Sequence, residues 1–302
     1  MNKACLFFKI SDITRHYPRN YKKYPDITVE KNYVYKEGYG KYTAADLFYK
    51  PGLPSYPVLV NVHGGGFVKG DKVHRKALCC EFAREGYFVY NVNYRLAPQY
   101  AFPAGVEDVV DALDKLPELA EKFPLDLSTV VLTGDSAGAF YSAAGVLSST
   151  SEAYRRAANV RTPKVVPTAY MGFCGAYRLE DLLFMKTPLN VSYDIADALF
   201  HGKFHGNTDT IKSQPHFAAT NLVSYVDERF PKTFLLYSKS DTFCGGQGEL
   251  LSEKLRNSGV QTEEFIARGK KDGHCFHLFP FHKTTPAVME RAKAFLRSLR
   301  SV

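Results

Sequence analysis

Three things are missing from this chain, and each absence removes a class of function. No apolar run approaches the roughly 20 residues that a membrane-spanning helix needs, so stable membrane insertion is not expected. No block of like charges is present either. The net charge is +8, but the densest basic clusters are Arg268-Gly269-Lys270-Lys271 and Arg155-Arg156. So few charges make a solvated surface rather than a nucleic-acid tract. Finally, none of the six cysteines (5, 79, 80, 174, 244 and 275) belongs to a C-x-x-C pair. That number in 302 residues is not disulfide density. Free thiols in a reducing compartment are expected, and Cys244 and Cys275 read as small apolar filler, with oxidation sensitivity as the alternative. The patch Cys5 to Phe8 is too brief for a signal-peptide core, and Lys9 and Asp12 follow at once. These readings together point to a soluble, cytoplasmic protein. Internal repeats and low-complexity segments are also lacking.

What is there is an alternation. Residues 1–40 are rich in tyrosine and lysine without clear periodicity, and read as a lid segment or loose chain. From there, Thr43 to Tyr49 reads as an edge strand. Val58 to Val62, Tyr87 to Val92, Thr129 to Thr133, Val165 to Met171, Thr233 to Tyr237 and Thr262 to Ile266 read as strands. The apolar runs suit strands covered on both faces. Between them, Lys76 to Glu85, Glu107 to Leu116, Ala137 to Leu147, Gln247 to Asn257 and Pro286 to Leu299 read as helices. This order predicts an α/β protein with a mostly parallel central sheet flanked by helices. Residues 173–230 are too long for a simple connection. They are expected to form a helical cap with the N-terminal segment, over a core built from residues 41–172 and 231–302.

Gly134-Asp135-Ser136-Ala137-Gly138 has the form G-x-S-x-G, after a strand and before a helix. A nucleophilic serine needs that context: small neighbours allow a strained turn that exposes the hydroxyl. The helix N-terminus also favours developing negative charge. Bare of that context, the pentapeptide would be a turn with a capping serine. His63-Gly64-Gly65-Gly66-Phe67 follows an earlier strand. Its backbone N–H groups suit an oxyanion, with Gly65, Gly66 and Ala137 as the expected donors. A phosphate loop would need G-x-x-x-x-G-K-[ST], which is absent.

A base is expected in Asp272-Gly273-His274-Cys275-Phe276-His277, where His274 is the first choice and His277 its rival. The H-x-x-H spacing has no third ligand to complete a metal site. Asp241, after the Thr233 to Tyr237 strand, can hold the imidazole tautomer. Asp272 is its rival. The chain order Ser136, Asp241, His274 suits the nucleophile-elbow arrangement. Phe67, Phe173, Tyr177 and Phe204 are candidate walls of a substrate pocket.

The His63-Gly64-Gly65-Gly66 loop, the stretch Asn93-Tyr94-Arg95-Leu96-Ala97-Pro98-Gln99 and the Gly134 to Gly138 elbow resemble the hormone-sensitive lipase family of esterases. Phe102-Pro103-Ala104 and the Glu107-Asp108 helix start resemble it too. The resemblance implies an α/β-hydrolase core with a helical cap. It implies a carboxylesterase or lipase-like serine hydrolase of short- to medium-chain esters, working through an acyl-enzyme without a cofactor. It implies an H-x-F setting for the base, which His274 matches and His277 does not. The family's acid opens an Asp-Pro-Leu-like segment, whereas this chain has Asp241-Thr242-Phe243, and Asn93 stands where the family usually has aspartate. Expected partners are a small ester and no nucleic acid, and a homodimer is compatible. An amidase or deacetylase with the same residues, or a ligand-binding protein on this scaffold, is the alternative.

Overall fold

The computed structural model describes residues 3–187 and 190–300, without the side chains of 13–18. Eight strands form one sheet: β1 (Thr28–Val34), β2 (Ala44–Tyr49), β3 (Tyr56–Val62), β4 (Phe88–Val92), β5 (Leu125–Asp135), β6 (Ala169–Phe173), β7 (Lys232–Ser238) and β8 (Thr262–Ala267). Their order is β1-β2-β4-β3-β5-β6-β7-β8. β1 and β2 are antiparallel to their neighbours, and the rest run parallel. Side chains on β3 alternate between two cores. Val58, Val60 and Val62 face one, and Leu59 the other. Because both faces are covered, the run is apolar throughout, and every residue of β3 is buried.

Helices fill both faces: α1 (Lys3–Asn20), α2 (Lys76–Arg84), α3 (Ala104–Asp114), α4 (Leu116–Ala120), α5 (Ala137–Thr150), α6 (Glu152–Ala158), α7 (Leu179–Leu183), α8 (Val191–Leu199), α9 (Thr208–Lys212), α10 (Gln247–Asn257) and α11 (Thr285–Leu299). Phe82 of α2 and Phe295 of α11 pack in one core. Val109 of α3 and Phe140 of α5 pack in the other. α10 spans the residues its pattern predicts.

Four expectations change. The Thr43 to Tyr49 strand is not at the edge: β2 is paired on both sides, and β1 forms the edge. β1 lies within the segment expected to be lid. Its exposed Glu30, Lys31 and Asn32 give it no apolar alternation to read. The strand expected from Val165 starts at Ala169, where parallel pairing with β5 begins. The helix expected from Glu107 to Leu116 ends at Asp114, and Pro117 stands in the first turn of a separate helix, α4. The N-terminal segment holds an 18-residue helix, α1. Segment 173–230 holds α7, α8 and α9, and α1 is tied to it: Lys3 and Ala4 N–H donate to Asp194 Oδ2 at 2.7 and 3.3 Å. No helix among the described residues is long and apolar enough to cross a membrane.

Candidate active site

β5 ends at Asp135 and α5 begins at Ala137, so Ser136 alone makes the turn. Its φ and ψ are 52° and −121°. Such a conformation costs a non-glycine residue about 1–3 kcal/mol. The surroundings hold it there: Ser136 N–H donates to the Phe173 carbonyl at 2.9 Å. The helix start is pressed onto the end of β3. A Cβ on Gly138 would sit 2.1 Å from the Val62 carbonyl oxygen, so only glycine fits. The same holds for Gly65, whose φ is 143° and whose added Cβ would lie 1.9 Å from the Lys69 oxygen. Among the described residues, Gly65, Gly66 and Ala137 donate none of the backbone hydrogen bonds found outside the regular elements.

Three distant segments meet above this turn. His274, in the loop after β8, places Nε2 at 2.9 Å from Ser136 Oγ. Its Nδ1 lies 2.8 Å from Asp241 Oδ2. An ionised carboxylate only accepts, so Nδ1 carries the proton and Nε2 presents a lone pair to the serine hydroxyl. Asp241 is itself fixed, because Oδ1 accepts from the N–H groups of Phe243 and Cys244 at 2.8 and 2.9 Å. Burial would raise the Asp241 carboxyl, but His274 outweighs it and its pKa is lowered. Burial also opposes charge on His274, yet the Asp241 carboxylate beside Nδ1 outweighs it and its pKa is raised. Asp241 carries the charge in this pairing. Cys275 stays a neutral thiol, pushed up by a hydrogen bond with Cys174 and by burial.

The rivals go elsewhere. His277 is stacked on Phe173 at 4.9 Å, neither ring nitrogen has a hydrogen-bond partner among the described residues, and burial pushes its pKa down to about 3. Asp272 accepts from Gly269 N–H and Thr284 Oγ1 at 2.9 and 2.8 Å, which shapes the loop. Cys244 and Cys275 are buried.

The four aromatic residues named as pocket walls are packing residues. Phe67 packs edge-on against Phe140 and Tyr141. Phe173 packs among Phe82, Phe234 and His277. The Tyr177 hydroxyl is hydrogen-bonded to Tyr170, and Phe204 packs within the insertion over Gly202. None of them lines the two cavities beside Ser136 and His274. Those cavities are lined instead by α1 together with the loops that carry Asp241 and His274. The Phe8 ring of α1 occupies the space a Cβ on Gly66 would fill. It also meets Phe243 at 6.1 Å, which in turn faces His274 at 5.5 Å. Sequence reasoning missed this helix.

Beneath the turn lies a second unforeseen pair. Arg75 donates from Nε and Nη2 to the two Asp135 oxygens at 2.5 and 2.7 Å. Both side chains are buried. Burial would raise the Asp135 carboxyl, but the Arg75 guanidinium outweighs it and holds it well below the carboxylate range. Asn93, where the resemblance has aspartate, keeps a structural role: Oδ1 accepts from Lys72 N–H at 2.6 Å and Nδ2 donates to the Lys41 carbonyl at 3.0 Å.

A parallel sheet with a strained serine at the end of β5, and a histidine and aspartate delivered by the loops after β8 and β7, defines an α/β-hydrolase. Known structures agree on the fold. Esterase B from Lactobacillus rhamnosis, in an inhibited form, superposes with a TM-score of 0.82 at 19% identity over 98% of this chain and 95% of that one. A bacterial heroin esterase superposes at 0.75 and 22% identity, over 97% and 91%. The chain belongs to the BD-FAE family, whose model matches residues 46–255. This agrees with the resemblance to the hormone-sensitive lipase family of α/β-hydrolase esterases. Similar sequences include esterase LipQ of Mycobacterium tuberculosis, 24% identical over 83% of this chain and 58% of that protein. Tuliposide A-converting enzyme 1 of Tulipa gesneriana is 26% identical over 81% and 64%. Ethyl acetate hydrolase of Pseudomonas putida is 41% identical over 26% of each chain. The chain therefore spans less than two thirds of the length of these relatives.

Proposed function

We propose that this chain hydrolyses carboxylic esters through an acyl-enzyme on Ser136. His274 Nε2 takes the hydroxyl proton as Oγ attacks the ester carbonyl. The N–H groups of Gly65, Gly66 and Ala137 receive the negative charge that forms on the carbonyl oxygen, a contribution of about 3–4 kcal/mol per donor. His274 then gives its proton to the leaving alcohol. Water, deprotonated by the same imidazole, releases the acid and restores the serine. Asp241 holds the tautomer that makes this possible and stabilises the imidazolium. The observation that carries the reading is the unbroken series Ser136–His274–Asp241, with contacts of 2.9 and 2.8 Å. The esterase names of the family's relatives support the substrate class. In the same proposal, α1 and segment 173–230 form the cover over the core.

A fluorophosphonate probe tests this directly. The wild-type chain is expected to lose p-nitrophenyl acetate hydrolysis in step with labelling, and Ser136→Ala to do neither. Labelling of the alanine variant at the wild-type rate would reject the nucleophile. A wild-type chain that neither labels nor turns over would be a binding protein on this scaffold.

A further inference from the structure

Two cavities of very different size flank the reacting atoms. One, about 720 Å³, is lined by His274 with Phe7, Phe8, Phe243 and Phe276. It touches neither Ser136 nor the glycine loop. The other, about 50 Å³, is lined by Ser136, Gly64 and Gly65 together with His274 and Cys275, and is closed by Phe8, Asp12, Arg19 and Leu278. The chemistry decides which half of an ester goes where. The base must return its proton to the leaving oxygen, so the alcohol leaves past His274 into the large cavity, which meets the base but not the serine. The acyl carbon is bound to Oγ with its oxygen against the glycine loop, so the acyl chain starts in the cavity that Ser136, Gly64 and Gly65 line.

We infer that the small cavity is the acyl pocket, that it admits an acyl group the size of acetyl, and that Arg19 and Leu278 are the wall setting this limit. The inference rests on the esterase reading above and adds a substrate class to it: acetate esters of bulky, apolar alcohols. The volume is the first argument. One water needs about 10–15 Å³ of such space, so the pocket holds roughly four small heavy atoms and no octanoyl chain. The polarity of the wall is the second. Arg19 is buried, its Nη1 faces Asp12 at 3.6 Å, and its Nε has no hydrogen-bond partner among the described residues. An apolar chain laid against that cation would desolvate it further. The third is what lies behind. Arg19 and Leu278 also line a separate cavity of about 350 Å³, bounded by Tyr24, Leu78 and Met289, and they are the residues common to both. The limit on chain length is thus a partition between two spaces.

The test is a chain-length series with one alcohol: kcat/KM for p-nitrophenyl acetate, butyrate and octanoate. Wild type, Leu278→Ala and Arg19→Ala are compared. Leu278 also packs in a core cluster. Arg19→Ala breaches the same wall from α1, losing the long contact to Asp12, which keeps His74 at 3.7 Å, and the placement of its guanidinium over the Phe279 ring at 5.4 Å. Wild type is expected to favour acetate over octanoate by about 100-fold or more. In at least one variant that ratio should fall by about 10-fold, with a rise in absolute octanoate turnover. A wild type that hydrolyses octanoate as well as acetate overturns the acyl pocket while leaving the esterase reading intact. Two active variants that keep the wild-type ratio overturn the partition. Absence of turnover on every ester overturns the esterase reading and this inference together.

Discussion

Ser136 and Phe8 line the same small cavity, and they are held there in opposite ways. Ser136 stands on the sheet, between a strand end and a helix whose residues are almost all buried. Phe8 stands on α1, whose neighbouring Leu6, Phe7 and Ile10 are 41, 46 and 53% exposed. The floor is therefore fixed by close packing, where a single added carbon collides with backbone. In the proposed reading α1 is cover, and the described contacts that hold it include the Asp194 carboxylate at its start and Asn20 at its end. Floor residues should control the rate of chemistry and the stability of the fold. Cover residues should control entry and fit, at small cost to either.

The largest effect that could break this contrast is on the floor. Ser136→Ala is expected to lower kcat on the order of 10⁶-fold, because the remaining groups have no nucleophile to serve. A loss of only about tenfold would place the chemistry elsewhere.

Asp241→Asn comes next, at about 10⁴-fold in kcat, since an amide can favour the wrong tautomer of His274. It also sharpens the electrostatics. The His274 pKa is raised despite burial, so activity should appear as the imidazole loses its proton. In wild type the rising limb of kcat/KM against pH should have its midpoint above about 6.5. Loss of the Asp241 charge should move that midpoint down. A limb unmoved by the substitution would show that Asp241 does not set the base.

The third test concerns what lies under the elbow. Asp135→Asn leaves the Arg75 guanidinium buried without its charge partner, and is expected to cost about 3–5 kcal/mol in urea unfolding at neutral pH. The sign with pH follows from the direction of the shift. The folded-state pKa of Asp135 lies below its unfolded value, near 3.9. Its stabilisation is complete above that value and is lost as pH falls toward the folded one. The variant should therefore lose less stability than wild type on acidification below about pH 4. Parallel acid profiles would mean the pair contributes little.

The same contrast explains what the sequence discloses. The floor is legible because its geometry imposes residue types: no side chain fits at Gly138 or Gly65. Apolar runs mark strands covered on both faces. So the elbow, the glycine loop, Asp241 and His274 could be named from local pattern and order. The cover has no such constraint. In α1 the apolar side chains do not gather on one buried stripe, since Leu6, Phe7 and Ile10 face outward. A helix without that periodicity is not visible as one. The four aromatic residues named for the pocket fail for a related reason. Counting rings near the elbow cannot tell a wall from a core, and Phe67 and Phe173 lie within 1% of full burial. Arg75 was equally unreadable, because its partnership with Asp135 joins residues 60 apart.

The smallest expected effect sharpens the comparison most, because it tests the cover alone. The first N–H groups of a helix have no partner within it, and α1 finds one in Asp194 of α8, which accepts from Lys3 and Ala4. The contact is partly solvated, so its loss is worth about 1 kcal/mol rather than the larger figure for a buried charge. Asp194→Ala should thus leave the denaturant midpoint nearly unchanged, since the sheet and its two cores are untouched. The opening equilibrium of α1 should rise about fivefold, the same free energy expressed as a ratio. Deuterium uptake in residues 3–20 reads that rise directly. If α1 is the cover over the site, KM should increase a few-fold with kcat nearly constant, because Ser136, His274 and Asp241 keep their places. Faster exchange with no change in KM would detach the helix from substrate binding. A fall in kcat as large as that of Asp241→Asn would mean that the floor depends on its cover.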